Sequence, residues 1–496
     1  MTEDFNLTNV ADIRLAEDKA IAAGESPETL ILKTAYKTTE AINTLHSPGH
    51  AVVLCGPGNN GKDGLYTAFF LRLSGWKISV ISVYWAEQQD DDNVLLSKKL
   101  SVYPTSFKRM PIDGNLFKDH PIIVDAIFGI GLNKKVDNDL MEFMEKIEKT
   151  NLPIISIDMP TGVHADSGEI MGKAFKAAHT ITFTKAKIGQ FLLPGRNYTG
   201  QLRVIDIDIG KYWDNSLNLF LNSPSIWKGL IPFSRPEQHK YHHGTAFIVA
   251  GPMTGAAKLA ARAARRSGAG ILKIICTPEK KLVYEIDDPE NIILEITSHQ
   301  NIHEIIAANQ NLYGQSLLIG SGFDSNITHQ QLVLDSLNCK IPIVIDGGGI
   351  SCFAEKPSFL LKNIVENAVL TPHEGEFQKL FPHLRGDKLF KTKKAAQESQ
   401  AIIVHKGADT VIAEPGGRTI VHPLSPPNLA TAGTGDVLAG IITGLMAQQV
   451  PNFEAACIGV WLQTNCAERT GVGLIASDII KEIPRSLSIL QSLLKN

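Results

Sequence analysis

The chain has 496 residues, 44% of them hydrophobic and 20% charged, with 48 Lys plus Arg against 51 Asp plus Glu. At about 100–200 residues per domain this length implies two or three domains, and the composition excludes disorder and low complexity. A net charge of −3 argues against a nucleic-acid or membrane-surface binder, which needs a concentrated basic face.

The first half opens on an amphipathic helix over 10–23, with Ile13, Ala16, Ala20 and Ile21 near one face. Short apolar, β-branched runs follow, separated by helical patterns: AVVLC (51–55), ISVISV (78–83), PIIVDA (121–126), PIISID (153–158) and TITFT (180–184), with a last strand near 202–209. The second half repeats the theme with TAFIVA (245–250), ILKIIC (271–276), SLLIG (316–320), IPIVID (341–346), NAVLT (367–371) and AIIVHK (401–406). Buried runs alternating with helices predict an α/β protein of two doubly wound, mostly parallel sheets. Between them, 211–244 is rich in Asn, Ser and Pro without a clear period and reads as a connector plus the entry to the second domain. This places domains at 1–220 and 225–496. The basic cluster Arg235, His239, Lys240, His242 and His243 falls there and reads as a solvated loop; Asp90, Asp91 and Asp92 read as a solvated helix start.

Start and interior also bear on location. MTEDFNLTNV carries no basic segment followed by an apolar one, so no secretory signal is expected. The longest apolar stretch, near 437–447, is about half the roughly 20 residues that span a bilayer. Six cysteines are scattered without a CxxC pair and read as buried thiols. A cytoplasmic protein is expected.

The chemistry concentrates in strand-to-helix turns. GPGNNGKDG (56–64) follows AVVLC, and it is neither a dinucleotide fingerprint nor a Walker loop. Its asparagines and Asp63 put side-chain oxygens where a turn needs only backbone. FGIGL (128–132) follows Asp125, and Asp158, Pro160, Thr161 and Gly162 follow the next strand. Three polar turns at strand carboxyl ends converge on one crevice, where such folds bind ligands. Asp125 and Asp158, each taken alone, are also compatible with Asx turns or helix caps. In the second half, TAGTGDVLAG (431–440) opens an apolar helix: Gly433, Thr434 and Gly435 form an anion hole at a helix start, and Asp436 in the first turn reaches a substrate hydroxyl as general base.

CGPGNNGKDGL, VDAIFGIGL, IDMPTGVHADSG and TITFTKAKIGQFLLPG, in order over the first half, resemble the YjeF N-terminal family of NAD(P)H-hydrate epimerases, which have a Rossmann-like sheet. The resemblance implies a substrate of hydrated NADH or NADPH (NADHX, NADPHX), hydroxylated at C6 of the reduced ring. It would be contacted by Asn59, Asn60, Gly61, Lys62 and Asp63, and by Gly129, Ile130, Gly131, Leu132, Asn133, Lys134 and Lys135. It implies K+ held by Asn60, Asp125 and Thr161, an oxygen set suited to a hard cation, and Asp158 as the general acid/base that interconverts the R and S forms. Lys62 stands where that family usually has glycine and Ile130 where threonine is common; Lys62 is placed either to pair with a substrate phosphate or to project outward.

The GTGD turn resembles the ribokinase-like superfamily, an α/β/α sandwich. HHGTAFIVAGPMTGAAKLAARAARRSGAG, LLIGSGFD, LTPHEGEFQKL and GLIASDIIKEIP, over about 239–487, resemble the YjeF C-terminal family of ADP- or ATP-dependent NAD(P)H-hydrate dehydratases. Carried over, Ala256, Gly322 and His373 line the hydrate pocket, and Lys406, Gly407, Ala408, Asp409, Thr410 and Gly435 hold ADP or ATP with Mg2+. Asp436 acts on the substrate. His373 by itself is equally an ordinary capping histidine. GGGI after Asp346 and the GSGFD turn depart from that family's pattern. Two alternatives stay open: a small-alcohol kinase using the same turn, and a first domain that binds without turning over. Small-molecule partners, no nucleic acid, no membrane and assembly as a homo-oligomer are expected.

Overall fold

A computed structural model describes residues 6–84, 92–102, 105–106, 115–213, 218–297, 301–310, 313–364, 366 and 368–495. Asp90, Asp91 and Asn367, named above, lie outside the described residues. The chain divides into two compact units, 1–217 and 218–496. Among the described residues no helix is long and apolar enough to cross a membrane. The six cysteines are free, five of them buried and Cys339 half-buried.

The first unit is built on a seven-stranded parallel sheet. Its order in space is Thr105–Ser106, Lys77–Ser82, His50–Cys55, Ile122–Ala126, Ile154–Ile157, His179–Phe183 and Gln201–Ile205. Both faces are covered, which is why the strands read as continuous apolar runs. Val53 and Val124 face the helices Pro27–Leu45 and Asn59–Leu73; Val52, Leu54 and Ile123 face Asn138–Glu148. The chain winds outward from His50–Cys55, then returns to lay Ile122–Ala126 on that strand's other side. The winding direction reverses between these two strands, and a crevice opens past their carboxyl ends.

Two sequence expectations need correction here. Ile21 is 40% exposed, whereas Ile13, Ala16 and Ala20 are buried in the helix Val10–Ala22. At 100° per residue Ile21 sits about 80° round from Ile13, off the packed stripe. The 19-residue helix Pro27–Leu45, N-capped by Ser26, was not read as a separate element. Thr34, Thr38 and Thr39 occupy its buried side, and Thr38 and Thr39 donate to the carbonyls of Thr34 and Ala35 four residues back. A threonine face carries little apolar period.

The second unit has a ten-stranded sheet in the order Leu219–Leu221, Thr419–Val421, Val411–Ala413, Ile402–His405, Ala368–Leu370, Ile343–Ile345, Gln315–Ile319, Thr245–Val249, Ile271–Cys276 and Ile292–Glu295. Only the two pairings made by Val411–Ala413 are antiparallel. Winding again reverses, here between Thr245–Val249 and Gln315–Ile319. Four of these strands lie outside the six read from the sequence. Leu219–Leu221 corrects the connector reading: it pairs with Thr419–Val421, so this sheet begins before residue 220. Trp227, just beyond, is buried and donates from its indole to Asn222 Oδ1. A three-residue strand in Asn- and Ser-rich text offers no period to read.

Helices Thr254–Arg266 and Thr434–Ala447 pack through small residues. Ala257, Ala260, Ala261, Ala263 and Ala264 form the buried face of the first. A Cβ on Gly440 would lie 2.3 Å from Ala260 O, and one on Gly444 2.3 Å from Ala264 O. The backbones therefore touch where any side chain would overpack them. Gly440→Ala is expected to lower the thermal midpoint of the second unit, a loss of about 1–3 kcal/mol. Gly255→Ala, with open space around it, should leave the midpoint unchanged or raise it slightly; calorimetry reads both.

Candidate active sites

In the first unit a cavity of about 380 Å3 lies past the strand ends where the winding reverses. The turns after the two central strands are pressed together: a Cβ on Gly56 would lie 1.9 Å from Ile127 O, and one on Gly61 1.9 Å from Gly56 O. These glycines are fixed by backbone packing, and Gly61 does not line the cavity. Asn59, Asn60 and Asp63, at the start of the helix Asn59–Leu73, do line it, as do Gly129, Ile130, Gly131 and Leu132. Asn133, Lys134 and Lys135 open instead onto a neighbouring cavity of about 420 Å3, which shares Pro57, Phe128, Gly131 and Leu132 with the first. Lys62 lies outside the lining and pairs with exposed Asp92 at 2.9 Å. It projects about 200° round the helix from Asn60, away from this cavity.

Asp158 is the anchored carboxylate of this cavity. Its backbone adopts φ +68°, an uncommon conformation for a side-chain-bearing residue. Ile130 N–H donates to Oδ2 at 3.0 Å, and Lys187 Nζ pairs with Oδ1 at 2.8 Å. Lys187 is 2% exposed and also donates to Thr182 Oγ1 at 2.6 Å. Behind the cavity, fully buried Asp125 accepts from Thr161 Oγ1 (2.7 Å), Thr161 N (2.8 Å) and Ser156 Oγ (2.8 Å); burial nonetheless pushes its carboxyl above the ordinary range. Phe128 N–H donates to the same Thr161 hydroxyl. Asn60 reaches this turn, its Oδ1 lying 3.4 Å from a Cβ built on Gly129, and both its amide atoms are buried without a partner among the described residues. Burial, with the charges of Asp158 and Glu17, pushes Asp63 well above the usual carboxylate range. Ile130, besides lining the cavity, packs against Ile13, Ala16 and Trp213.

In the second unit the turns after four strands meet the start of the helix Thr434–Ala447. Asp346, 3% exposed, accepts from Thr371 Oγ1 at 2.6 Å and Lys406 Nζ at 2.7 Å. Burial works against the charge on Lys406, but Asp346 and Glu376 outweigh it and hold the amine above its ordinary range. A Cβ on Gly435 would lie 3.4 Å from Lys406 Nζ and 3.9 Å from Asp346 Oδ2. Asp436 follows directly; burial and then the charge of Asp346 push its carboxyl up to about 6. Gly407 to Thr410 form a tight turn in which Thr410 Oγ1 donates to Gly407 O at 2.8 Å. Asp409 pairs there with Lys388 at 2.7 Å, and Ala408 O accepts from Ser425 N. Ala256 and Gly322 come together where the winding reverses, a Cβ on Gly322 lying 3.1 Å from that of Ala256.

His373 caps the helix Glu374–Leu380: its Nδ1 accepts from Glu376 N at 3.2 Å and Glu376 Oε2 accepts from His373 N at 2.9 Å. Its ring is 60% exposed, and its backbone bridges to Lys406.

Several polar residues went unassigned in the sequence: Glu17 and Lys187 in the first unit, Asp346, Thr371, Glu376 and Lys388 in the second. Asp346 had a readable signal, since it ends an apolar strand as Asp125 does.

The family described as YjeF-related protein N-terminus matches residues 27–189, and that described as NAD(P)H-hydrate dehydratase matches 246–485. The chain is 31% identical to the bifunctional NAD(P)H-hydrate repair enzyme Nnr of Dictyoglomus turgidum, over 88% of this chain and 88% of that one. It is 27% identical to the enzyme of the same name from Thermofilum pendens, over 98% and 97%. Among solved structures, the ADP/ATP-dependent NAD(P)H-hydrate dehydratase of Bacillus subtilis, co-crystallised with ATP/Mg2+, is 26% identical with a TM-score of 0.45, covering 54% of this chain and 98% of that one. The chain belongs to the bifunctional NAD(P)H-hydrate repair enzymes.

Proposed function

We propose that the first unit interconverts the R and S hydrates of NADH and NADPH, and that the second dehydrates the S form at the expense of ADP or ATP. The observation that carries this is Asp436: a carboxyl raised to about 6 in the first turn of a helix whose N–H groups favour a phosphoryl group. Asp436 takes the proton of the C6 hydroxyl, and the oxygen attacks the terminal phosphate of the nucleotide, breaking its bridging P–O bond and releasing AMP from ADP or ADP from ATP. Phosphate leaves far more readily than hydroxide, and the ring-nitrogen lone pair expels it. The nucleotide enters as its Mg2+ complex, whose metal neutralises phosphate charge. Lys406, tied to Asp346 beside Gly435, positions the transferred group, and the rigid Gly407–Thr410 turn carries the rest of the nucleotide.

In the first unit Asp158 handles the proton at C6 while the ring nitrogen stabilises the ring after hydroxide loss. Asn60, Asp125 and Thr161 would hold K+. The fit rests on the unpartnered amide of Asn60 and on a buried carboxylate that burial leaves under-compensated; the cation would offset that charge and present a positive edge to the substrate. Two adjoining cavities suit a dinucleotide, with its reduced ring beside Asp158 and its other half towards Lys134 and Lys135.

Given an R/S hydrate mixture, nucleotide and K+, the protein is expected to restore reduced-nicotinamide absorbance for both epimers and to release inorganic phosphate. Asp158→Asn should convert only the S half promptly; a stable phosphorylated product in place of phosphate would establish a small-alcohol kinase instead. Asp436→Asn should lower the dehydration rate by roughly 10²–10⁴-fold.

A pH series adds an independent check. Dehydration should rise as pH increases through about 6, where Asp436 loses its proton. Because its folded-state pKa is raised, the stability it contributes is present below the ordinary carboxylate range and lost as pH rises through about 6. Asp436→Asn should therefore melt at a higher temperature than the parent at neutral pH, the gap closing below about pH 4.

A further inference from the structure

The helix Val10–Ala22 lies before the family-matched segment, which begins at residue 27, yet it forms a wall of the first cavity. It is tethered beside the catalytic pair: Leu7–Thr8 pairs with Ala186–Lys187, Thr8 opposite Lys187, and Val10 N–H donates to Asp166 Oδ1 at 2.8 Å. Ile13 and Ala16 clamp it onto Ile130 and Trp213. This packing turns Ile13, Arg14 and Glu17 into the cavity lining that also holds Asp63, Asp158 and Lys187. Glu17 makes no hydrogen bond or ion pair of its own among the described residues. Burial first, then the charge of Asp158, pushes its carboxyl up, against opposing pulls from Lys187 and Arg14.

Epimerisation at C6 presents the hydroxyl on one face of the ring in the R form and on the other in the S form. Asp158 is pinned by Ile130 N–H and Lys187, so it reaches one face of a bound ring. We propose that Glu17 is the second proton-carrying group of this site, serving the ring face that Asp158 does not. The inference rests on the epimerase reading of the first unit.

The step balances as follows. The Glu17 carboxyl gives its proton to the C6 hydroxyl of one epimer; the C6–O bond breaks, water leaves, and the ring-nitrogen lone pair fills the vacated position. Water then attacks C6 from the opposite face, and the Asp158 carboxylate takes its proton. The reverse direction exchanges the roles, and between turnovers solvent returns the proton. A pair of carboxyl groups in unlike environments, one ion-paired and one without a counter-ion of its own, is the usual basis for such a division.

The test uses the full chain without nucleotide, with separated R and S hydrates in 18O-labelled water, followed by chromatography and mass spectrometry. Glu17→Gln is expected to lower epimerisation at least about 10²-fold while enzyme-dependent 18O entry persists in one epimer, through loss and return on the face Asp158 serves. Asp158→Asn should show the converse, with exchange persisting only in the other epimer. Epimerisation at the parent rate in Glu17→Gln overturns the proposal, as does loss of exchange in both epimers, the mark of a merely structural role. If the parent protein itself speeds no interconversion, the epimerase reading fails and the proposal with it.

Discussion

A carboxylate taken out of water at the edge of a sheet needs a counter-charge, and each unit supplies the same one. Asp158 meets Lys187 at 2.8 Å in the first and Asp346 meets Lys406 at 2.7 Å in the second, each pair nearly sequestered from solvent. Removing either lysine would strand a buried charge. Each pair also shapes the field around a second carboxyl, Glu17 or Asp436, that burial raises. An ion-paired aspartate beside a carboxyl free to titrate is a proton-handling unit, and it recurs on two different sheets.

Both pairs lie past the strand ends of their sheets. In both units the direction reverses inside the sheet, and the turns leaving the two strands at the reversal pass so closely that a glycine is needed at the contact. Gly56 against Ile127 meets this need in the first unit and Gly251 against Gly322 in the second, where a Cβ on Gly251 would lie 2.4 Å from Gly322 O. The glycines that looked like phosphate cradles in the sequence are in good part consequences of this crossing. On the proposed reading, contact with the ligands falls to other residues: Asn59, Asn60 and Asp63 in the first unit, Asp436 and Lys406 in the second.

This explains what the sequence disclosed and what it hid. Strand cores were legible because burial on both faces leaves unbroken apolar runs such as AVVLC. Asp125, Asp158 and Asp436 were legible because each sits at a strand or helix boundary where polar residues stand out. Lys187 lay unassigned inside TITFTKAKIGQ, since nothing local says that a lysine will turn inward to an aspartate 29 positions earlier. Leu219–Leu221 needed a partner two hundred residues away to become a strand. Lys62 lies outside the cavity lining for a reason that helical geometry supplies, since it projects about 200° round the helix from Asn60. The Thr-rich helix Pro27–Leu45 escaped because hydroxyls that bond back to their own helix disguise a buried face.

The two sites ask for opposite treatment of one oxygen. To lose water from C6 the hydroxyl must gain a proton; to be phosphorylated it must give one up. Burial can serve both ends, because raising a carboxyl pKa towards neutrality makes the neutral acid more available and the ionised form a stronger base. What then decides the role is the neighbouring group. Beside Asp436, Lys406 and the helix start oppose the charge of Asp346 and favour charge on the carboxylate and on an arriving phosphate, which suits a base. Beside Glu17, the ion-paired Asp158 keeps negative charge already in place, which favours the neutral acid. Each is a carboxyl raised by burial and by a neighbouring aspartate and drawn back by a lysine; what Asp436 has in addition is the start of a helix, whose dipole favours the ionised base.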